Sequence, residues 1–363
     1  MNPRLLVVLA ILGGASASGQ GKGSVGRLPR AEVVDLRQLV DGVARGEPGG
    51  GDARINWDGH FMRAGDGRVY LPFTARLDDV TEGFESIAMY IRVLPRGAKS
   101  GGGRGVGLGL DTAESSPGSD QISSGEPTVG EASFRLGLTA TEIGRVKPSV
   151  EGFFIAHTQS NEAQRLVRRS LTLAPGNYDL YVAIRERPGS RGRLTPRAVV
   201  LKRELTVPAL GGRELTMSSV ILASRIDVLP SPVPASQQAE RPYAFASTEI
   251  VPDTDSAFEQ SDVLSVVFFV YNLAVDNRDV PDVTVQYRVH SGSTGDLFGE
   301  LPPQRLARGH VPPVFDAKAG RQLAVTQGLR LEAFPPDTYE LDILVLDNLS
   351  GRSLHRAVRF SVG

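Results

Sequence analysis

Leu173-Ala-Pro-Gly-Asn-Tyr-Asp-Leu-Tyr-Val-Ala-Ile184 and Phe334-Pro-Pro-Asp-Thr-Tyr-Glu-Leu-Asp-Ile-Leu-Val345 follow one pattern. In each, an apolar residue and a Pro-containing turn precede a tyrosine, Tyr178 or Tyr339, and an acidic residue follows it. Leu180, Val182 and Ile184, or Leu341, Ile343 and Val345, then occupy alternate positions. Successive side chains point to opposite faces only in extended backbone, so each stretch predicts a strand with one buried face. A tyrosine at the start of such a strand can send its hydroxyl back to upstream backbone.

The 363 residues suffice for two ordinary domains, and 40% hydrophobic with 22% charged residues is a globular composition. A formal net charge of −1 gives no overall reason to expect nucleic acid or an anionic membrane as partner. Cysteine is absent, which removes disulfides, thiolate metal sites and a cysteine nucleophile. Arg4, the apolar run Leu5 to Leu12, a Gly pair and Ala15-Ser-Ala17 read as a secretory signal peptide over residues 1–17. Its apolar core is far shorter than the roughly 20 residues of a membrane span. With no lipid-attachment cysteine, the mature chain is expected to be secreted or periplasmic.

Residues 18–53 read as a flexible Gly/Ser-rich leader followed by one amphipathic helix over Ala31 to Arg45, with Leu36, Leu39, Val40 and Val43 at helical spacing. Strands dominate from there. A first β-sandwich is expected over 54–211, with a turn at Gly65-Asp-Gly67 and strand candidates at 69–77, 87–94, 134–138, 152–156, 166–173, 178–185 and 199–207. It is interrupted by a flexible Gly-rich insertion over 99–130. The second sandwich is expected over 212–363, including a Pro-rich segment at 229–242 that reads as stiff and extended over Leu229 to Gln238; a strand at 215–223 either opens this sandwich or pads the first. Trp57, the single tryptophan, reads as a core or rim aromatic.

The halves answer one another. Strand starts at 69 and 87 in the first half match 264 and 283 in the second, and Tyr90-Ile-Arg-Val93 is echoed by Tyr287-Arg-Val289. The longer distance from Tyr90 to Tyr178 than from Tyr287 to Tyr339 is mostly the Gly-rich insertion, so two copies of one domain explain the spacing. The paired tyrosine corners, the Pro-x-x-Tyr-acid-Leu pattern and the closing strands Val199 to Val207 and Ala357 to Val362 resemble tandem immunoglobulin-like or fibronectin-like domains, without the two cysteines of antibody domains. The whole layout also resembles uncharacterised secreted bacterial proteins. The resemblance implies an all-β pair of sandwiches and brings no activity or cofactor.

The search for chemistry yields little. Gly101 to Gly109 lacks both the Gly-x-Gly-x-x-Gly spacing and a following Gly-Lys-Ser/Thr, so no nucleotide site is expected. The five histidines, His60, His157, His290, His310 and His355, form no zinc-binding spacing. No Gly-x-Ser-x-Gly elbow occurs, while a Ser-His-Asp set assembled in space stays open. Asp253, Asp255 and Glu259 are the best calcium candidates but lack the frame of an EF-hand, and a solvated acidic loop is the plainer reading. Asn348-Leu-Ser350 matches a glycosylation sequon that a hairpin turn also explains. We expect no enzyme, no metal and no cofactor.

The charges are clustered. Arg185, Arg187, Arg191, Arg193 and Arg197, with Lys202 and Arg203 behind them, form a candidate basic binding loop before the last strand of the first sandwich, against the single acid Glu186. Glu249 to Asp262 carries Glu249, Asp253, Asp255, Glu259 and Asp262 and no base. In an end-to-end tandem these segments sit at opposite tips. That predicts weak head-to-tail self-association, or binding of the basic tip to an anionic polysaccharide, set against two solvated loops without a partner. The function expected is a non-catalytic secreted or periplasmic binding module for a protein whose identity the sequence does not give; envelope assembly or polysaccharide binding is the alternative, and a secreted hydrolase comes last.

Overall fold

The computed structural model describes residues 28–49, 55–65, 67–76, 86–96, 149–157, 166–187, 197–234, 237–307 and 322–363. The expected signal peptide, the Gly-rich insertion and the strand expected at 134–138 lie outside them. Helix α1 (Arg30–Ala44) carries Leu36 and Val40 on its buried stripe, as its period requires. Among the described residues every later element is a strand: an all-β sandwich fold with one short N-terminal helix.

The first half contains β1 (Asn56–Gly59), β2 (Met62–Arg63), β3 (Val69–Arg76), β4 (Ser86–Pro95), β5 (Val150–His157), β6 (Leu166–Leu173), β7 (Gly176–Arg187) and β8 (Ala198–Val207). These make two antiparallel sheets. One has the order β5-β4-β7-β8; in the other, β1 and β2 pair with one edge of β3 and β6 with its other edge. Val69, Leu71, Phe73 and Ala75 of β3 meet Ile87, Met89, Ile91 and Val93 of β4 and Leu180, Val182 and Ile184 of β7 in the core between them. Trp57 stacks on Phe73 with ring centroids 3.7 Å apart, a rim aromatic of this core.

The second half contains β9 (Thr216–Met217), β10 (Ile221–Val228), β11 (Ala244–Phe245), β12 (Thr248–Pro252), β13 (Ala257–Phe258), β14 (Val263–Tyr271), β15 (Val283–Ser291), β16 (Leu297–Leu306), β17 (Leu323–Arg330), β18 (Asp337–Asp347) and β19 (Ser353–Val362). Its sheets have the orders β11-β12-β10-β14-β17 and β13-β19-β18-β15-β16. The strand order β16-β15-β18-β19 is that of β5-β4-β7-β8 in the first half. The strand expected over 215–223 is divided between β9 and β10, because the Ser218 hydroxyl accepts the Phe269 amide and the local backbone leaves the ladder.

The halves are not strung end to end. Val267, Phe269 and Tyr271 of β14, with Ile221, Tyr243 and Ile250, join the first half's core, while Leu264, Val266, Phe268 and Val270 of the same strand belong to the second core. A strand apolar on both faces is what a layer buried between two others requires. The face of β3 that carries Tyr70 and Pro72 closes this contact: Tyr70 donates to the Pro242 carbonyl at 2.8 Å and Tyr243 to the Pro72 carbonyl at 3.2 Å. The Pro-rich segment ends in this contact. It turns at Gln237–Arg241, where Gln238 Nε2 donates to the Ala244 carbonyl at 2.9 Å, and delivers Pro242 and Tyr243 to the first sandwich.

Candidate interaction surfaces

Arg185 and Arg187 stand at the end of β7, where α1 crosses the outer face of β4, β7 and β8. Apolar contact seats the helix, and charge then matches across it: Arg185 pairs with Asp35, Arg187 with Glu32 at 3.0 Å, Arg92 with Asp41 at 2.5 Å, and Arg37 with Glu151 at 3.1 Å. Just after the helix the Gly49 carbonyl accepts the Val200 amide at 2.8 Å, and a side chain at Gly49 would strike the Val200 carbonyl, so the chain there runs flush against β8. Arg197 is held by Glu186, a carboxylate only 1% exposed, through its Nε at 2.7 Å and its own amide at 2.6 Å. Lys202 lies over the Tyr181 ring and Arg203 donates to the Trp57 carbonyl at 2.9 Å. Arg191 and Arg193 lie outside the described residues. Three of the five candidate arginines are thus matched by carboxylates of the same chain, two of them on a helix about 150 positions away.

The acidic segment is also engaged within the chain. Arg76, at the end of β3, meets Asp255 at 2.9 Å and the Thr254 hydroxyl, bridging the two sandwiches. Arg241 forks onto Glu249, with its Nε 3.1 Å from Oε1. Asp253 accepts the amides of Asp255 and Ala257. Burial, and then the neighbouring Asp255 carboxyl, push the Asp253 carboxyl up to about 6. Asp255 is held below its usual range against its burial by the hydrogen bond from Asp253 and by Arg76. The end-to-end arrangement behind the head-to-tail expectation is replaced by layers stacked face to face, which is why an acidic-segment residue meets a base of the other sandwich in the same chain.

Among the described residues no group of three metal-ligating side chains is placed to hold an ion. His290 and His355, on β15 and β19, both approach Asp342 of β18, at 3.4 and 3.0 Å. His60 lies instead between the sandwiches, its Nδ1 2.9 Å from the Tyr243 hydroxyl. Among the described residues these three histidines make no hydrogen bond to a serine.

One surface was not singled out from the sequence. Strand β16 is the edge of its sheet and has no further strand beside it among the described residues. Its first half presents Leu297 and Phe298, 55% and 40% exposed, and Phe298 rests on Phe334 and Tyr339 with ring centroids 4.7 and 5.2 Å away. Pro302 and Pro303 remove two backbone donors from its second half, so open pairing capacity is concentrated before them. The signal available in the sequence was a break in alternation, two adjacent apolar residues after Ser291-Gly-Ser-Thr-Gly-Asp296.

No family model matches the chain, and no curated protein matches it. Among solved structures it is similar to trypsin-activated alpha-2-macroglobulin from Escherichia coli, with 10% identity over 85% of this chain and a TM-score of 0.21, and to the native conformation of E. coli alpha-2-macroglobulin, with 12% identity over 86% and a TM-score of 0.19. The chain spans only 16% and 17% of the length of those proteins. TM-scores of this size do not define a shared fold.

Proposed function

We propose that the protein is a non-catalytic interaction module that works in the periplasm or outside the cell and holds a partner protein at the free edge of β16. The observation that carries this reading is the exposed Leu297-Phe298 pair on an edge strand, with the Phe298 ring resting on those of Phe334 and Tyr339. An edge strand offers backbone donors and acceptors to an extended segment, and apolar side chains beside it add affinity and register. The location rests on the N-terminal sequence, Arg4 with Leu5 to Leu12 and Ala15-Ser-Ala17.

Crosslinking in envelope and extracellular fractions, with Phe298→Asp and Leu297→Lys as paired controls, tests it. The expected result is a discrete partner that both substitutions release, with the thermal midpoint unchanged in Leu297→Lys, whose side chain is the more exposed of the two. Retention of the partner by both variants would remove β16 from the interface, and turnover in a broad hydrolase screen that a point substitution abolishes would replace the binding reading altogether. Binding of an anionic polysaccharide at the basic loop is the narrower alternative; there a ligand competes with Asp35 and Glu32 for Arg185 and Arg187.

A further inference from the structure

Asp58 on β1 and His60 just beyond it lie beside β3, Asp58 opposite Thr74 and the His60 amide donating to the Pro72 carbonyl at 3.0 Å. Tyr243 closes over them from the second half. His60 is 6% exposed, and its Nδ1 lies 2.9 Å from the Tyr243 hydroxyl. That hydroxyl gives its one proton to the Pro72 carbonyl at 3.2 Å, so Nδ1 donates to it. Nε2 faces Asp58 Oδ2 at 3.7 Å, and this oxygen is enclosed with no hydrogen-bond partner. Without a proton on Nε2 the seam buries two acceptors face to face, which enclosed polar atoms nearly always avoid. A tautomer protonated on Nε2 alone would serve Asp58 but would draw the Tyr243 proton away from Pro72. The doubly protonated ring satisfies Asp58, Tyr243 and Pro72 together.

We propose that the seam between the two sandwiches is a proton-binding site, in which His60 is held as an imidazolium between Asp58 and Tyr243 and its proton tightens the contact. Apolar packing already closes the seam, because Val267, Phe269 and Tyr271 of β14 share the first half's core. The proton adds to that hold. Burial opposes a charged imidazole and the Asp58 carboxylate favours it. Closure strands Asp58 Oδ2 whether or not His60 is charged, so a proton on Nε2 also relieves an oxygen that is already desolvated, and this decides the direction. Arg168 on β6, whose charge reaches Tyr243 together with that of Asp58, works against the imidazolium. Tyr243 and Tyr70, both raised by burial, stay neutral. Histidine freed by opening titrates near 6.5. The closed state binds the proton more tightly, so the stabilisation is complete below about pH 6.5 and is lost as pH rises through the higher closed-state value.

NMR of the His60 imidazole in the full chain tests the site. Its midpoint is expected above about 6.5, with both ring nitrogens protonated at about pH 6.5. Asp58→Asn keeps an oxygen facing Nε2 but removes the charge, and should bring the midpoint below that value. Hydrogen exchange from about pH 6 to about pH 8.5, corrected for its intrinsic pH dependence, reads the contact itself. Amides of 58–64, 69–74 and 243–251 are expected to lose protection by up to about tenfold per unit as pH rises through the His60 midpoint. Asp253, raised to about 6, adds a dependence of the same sign in both proteins, so the part that disappears in Asp58→Asn belongs to His60. Should that variant not fold, the wild-type midpoint decides. A midpoint at or below 6.5, a midpoint that Asp58→Asn leaves in place, or protection that grows with pH would overturn the proposal.

Discussion

The hydroxyl of Tyr339 donates a 2.7 Å hydrogen bond to the carbonyl of Pro335, four residues upstream, and Tyr178 reaches the Ala174 carbonyl in the same way at 2.9 Å. Each bond closes the turn that leads into β18 or β7, and the Tyr339 ring also packs on Phe334 and Phe360. Tyr339→Phe keeps the ring and leaves a carbonyl unpaired, so a loss of about 1 kcal/mol or more is expected. Tyr178→Phe should cost a similar amount. Denaturant midpoints report it directly, and unchanged midpoints in both variants would mean that the corners add nothing to stability.

These corners were legible because they are local: proline turn, tyrosine and alternating strand occupy a dozen consecutive residues, and φ/ψ preferences and side-chain period act over that range. The amphipathic helix was legible for the same reason. The largely apolar run Leu264 to Tyr271 signals burial on both faces, yet it names no partner layer. Nothing local marks the pairing of Glu32 and Asp35 with Arg187 and Arg185, because ion pairs between distant elements leave no periodic trace. The prolines at 230–234 did predict stiffness, but the turn after them is set by Gln238 and by Tyr70 across the seam.

The helix carboxylates make a separable prediction. Glu32→Gln with Asp35→Asn removes two partly exposed pairs, each worth under about 1 kcal/mol, while Leu36 and Val40 keep α1 seated. Arg185 and Arg187 then lose their carboxylates without leaving their places. Were the basic loop the ligand site, binding of an acidic polysaccharide in low salt would rise several-fold and decline again as salt is added. Equal binding by the wild type and the double variant would remove Arg185 and Arg187 from any such site.

Asp253 gives a pH dependence of defined sign. Its carboxyl is raised from the ordinary 3.8 to about 6, so the folded state holds a proton that the unfolded chain releases. The stability this confers is complete below about pH 3.8 and is lost as pH rises through about 6. Asp253→Asn retains an oxygen for the amides of Asp255 and Ala257 and carries no charge to oppose Asp255. Thermal midpoints of the variant should therefore exceed those of the wild type at about pH 7 and converge with them at about pH 4. A constant difference across that range would show that the proton on Asp253 contributes nothing.

Adjacent residues of β14 test how far the two sandwiches depend on each other. Phe268 lies wholly in the second core, whereas Phe269 turns into the first half's core and meets Phe245 at 5.7 Å. Truncating either to alanine should cost about 3–5 kcal/mol, the usual range for a buried phenylalanine. If the halves were independent, Phe268→Ala would lower only the second half's transition. Because one strand serves both cores, a single calorimetric transition is expected in the wild type near neutral pH, and either substitution should shift it whole. The same strand makes the second half unsuited to isolation: residues 212–363 alone would leave Val267, Phe269 and Tyr271 uncovered by the first sandwich and should self-associate. Two resolved transitions, with Phe269→Ala moving only one of them, would show that the shared layer does not couple the halves.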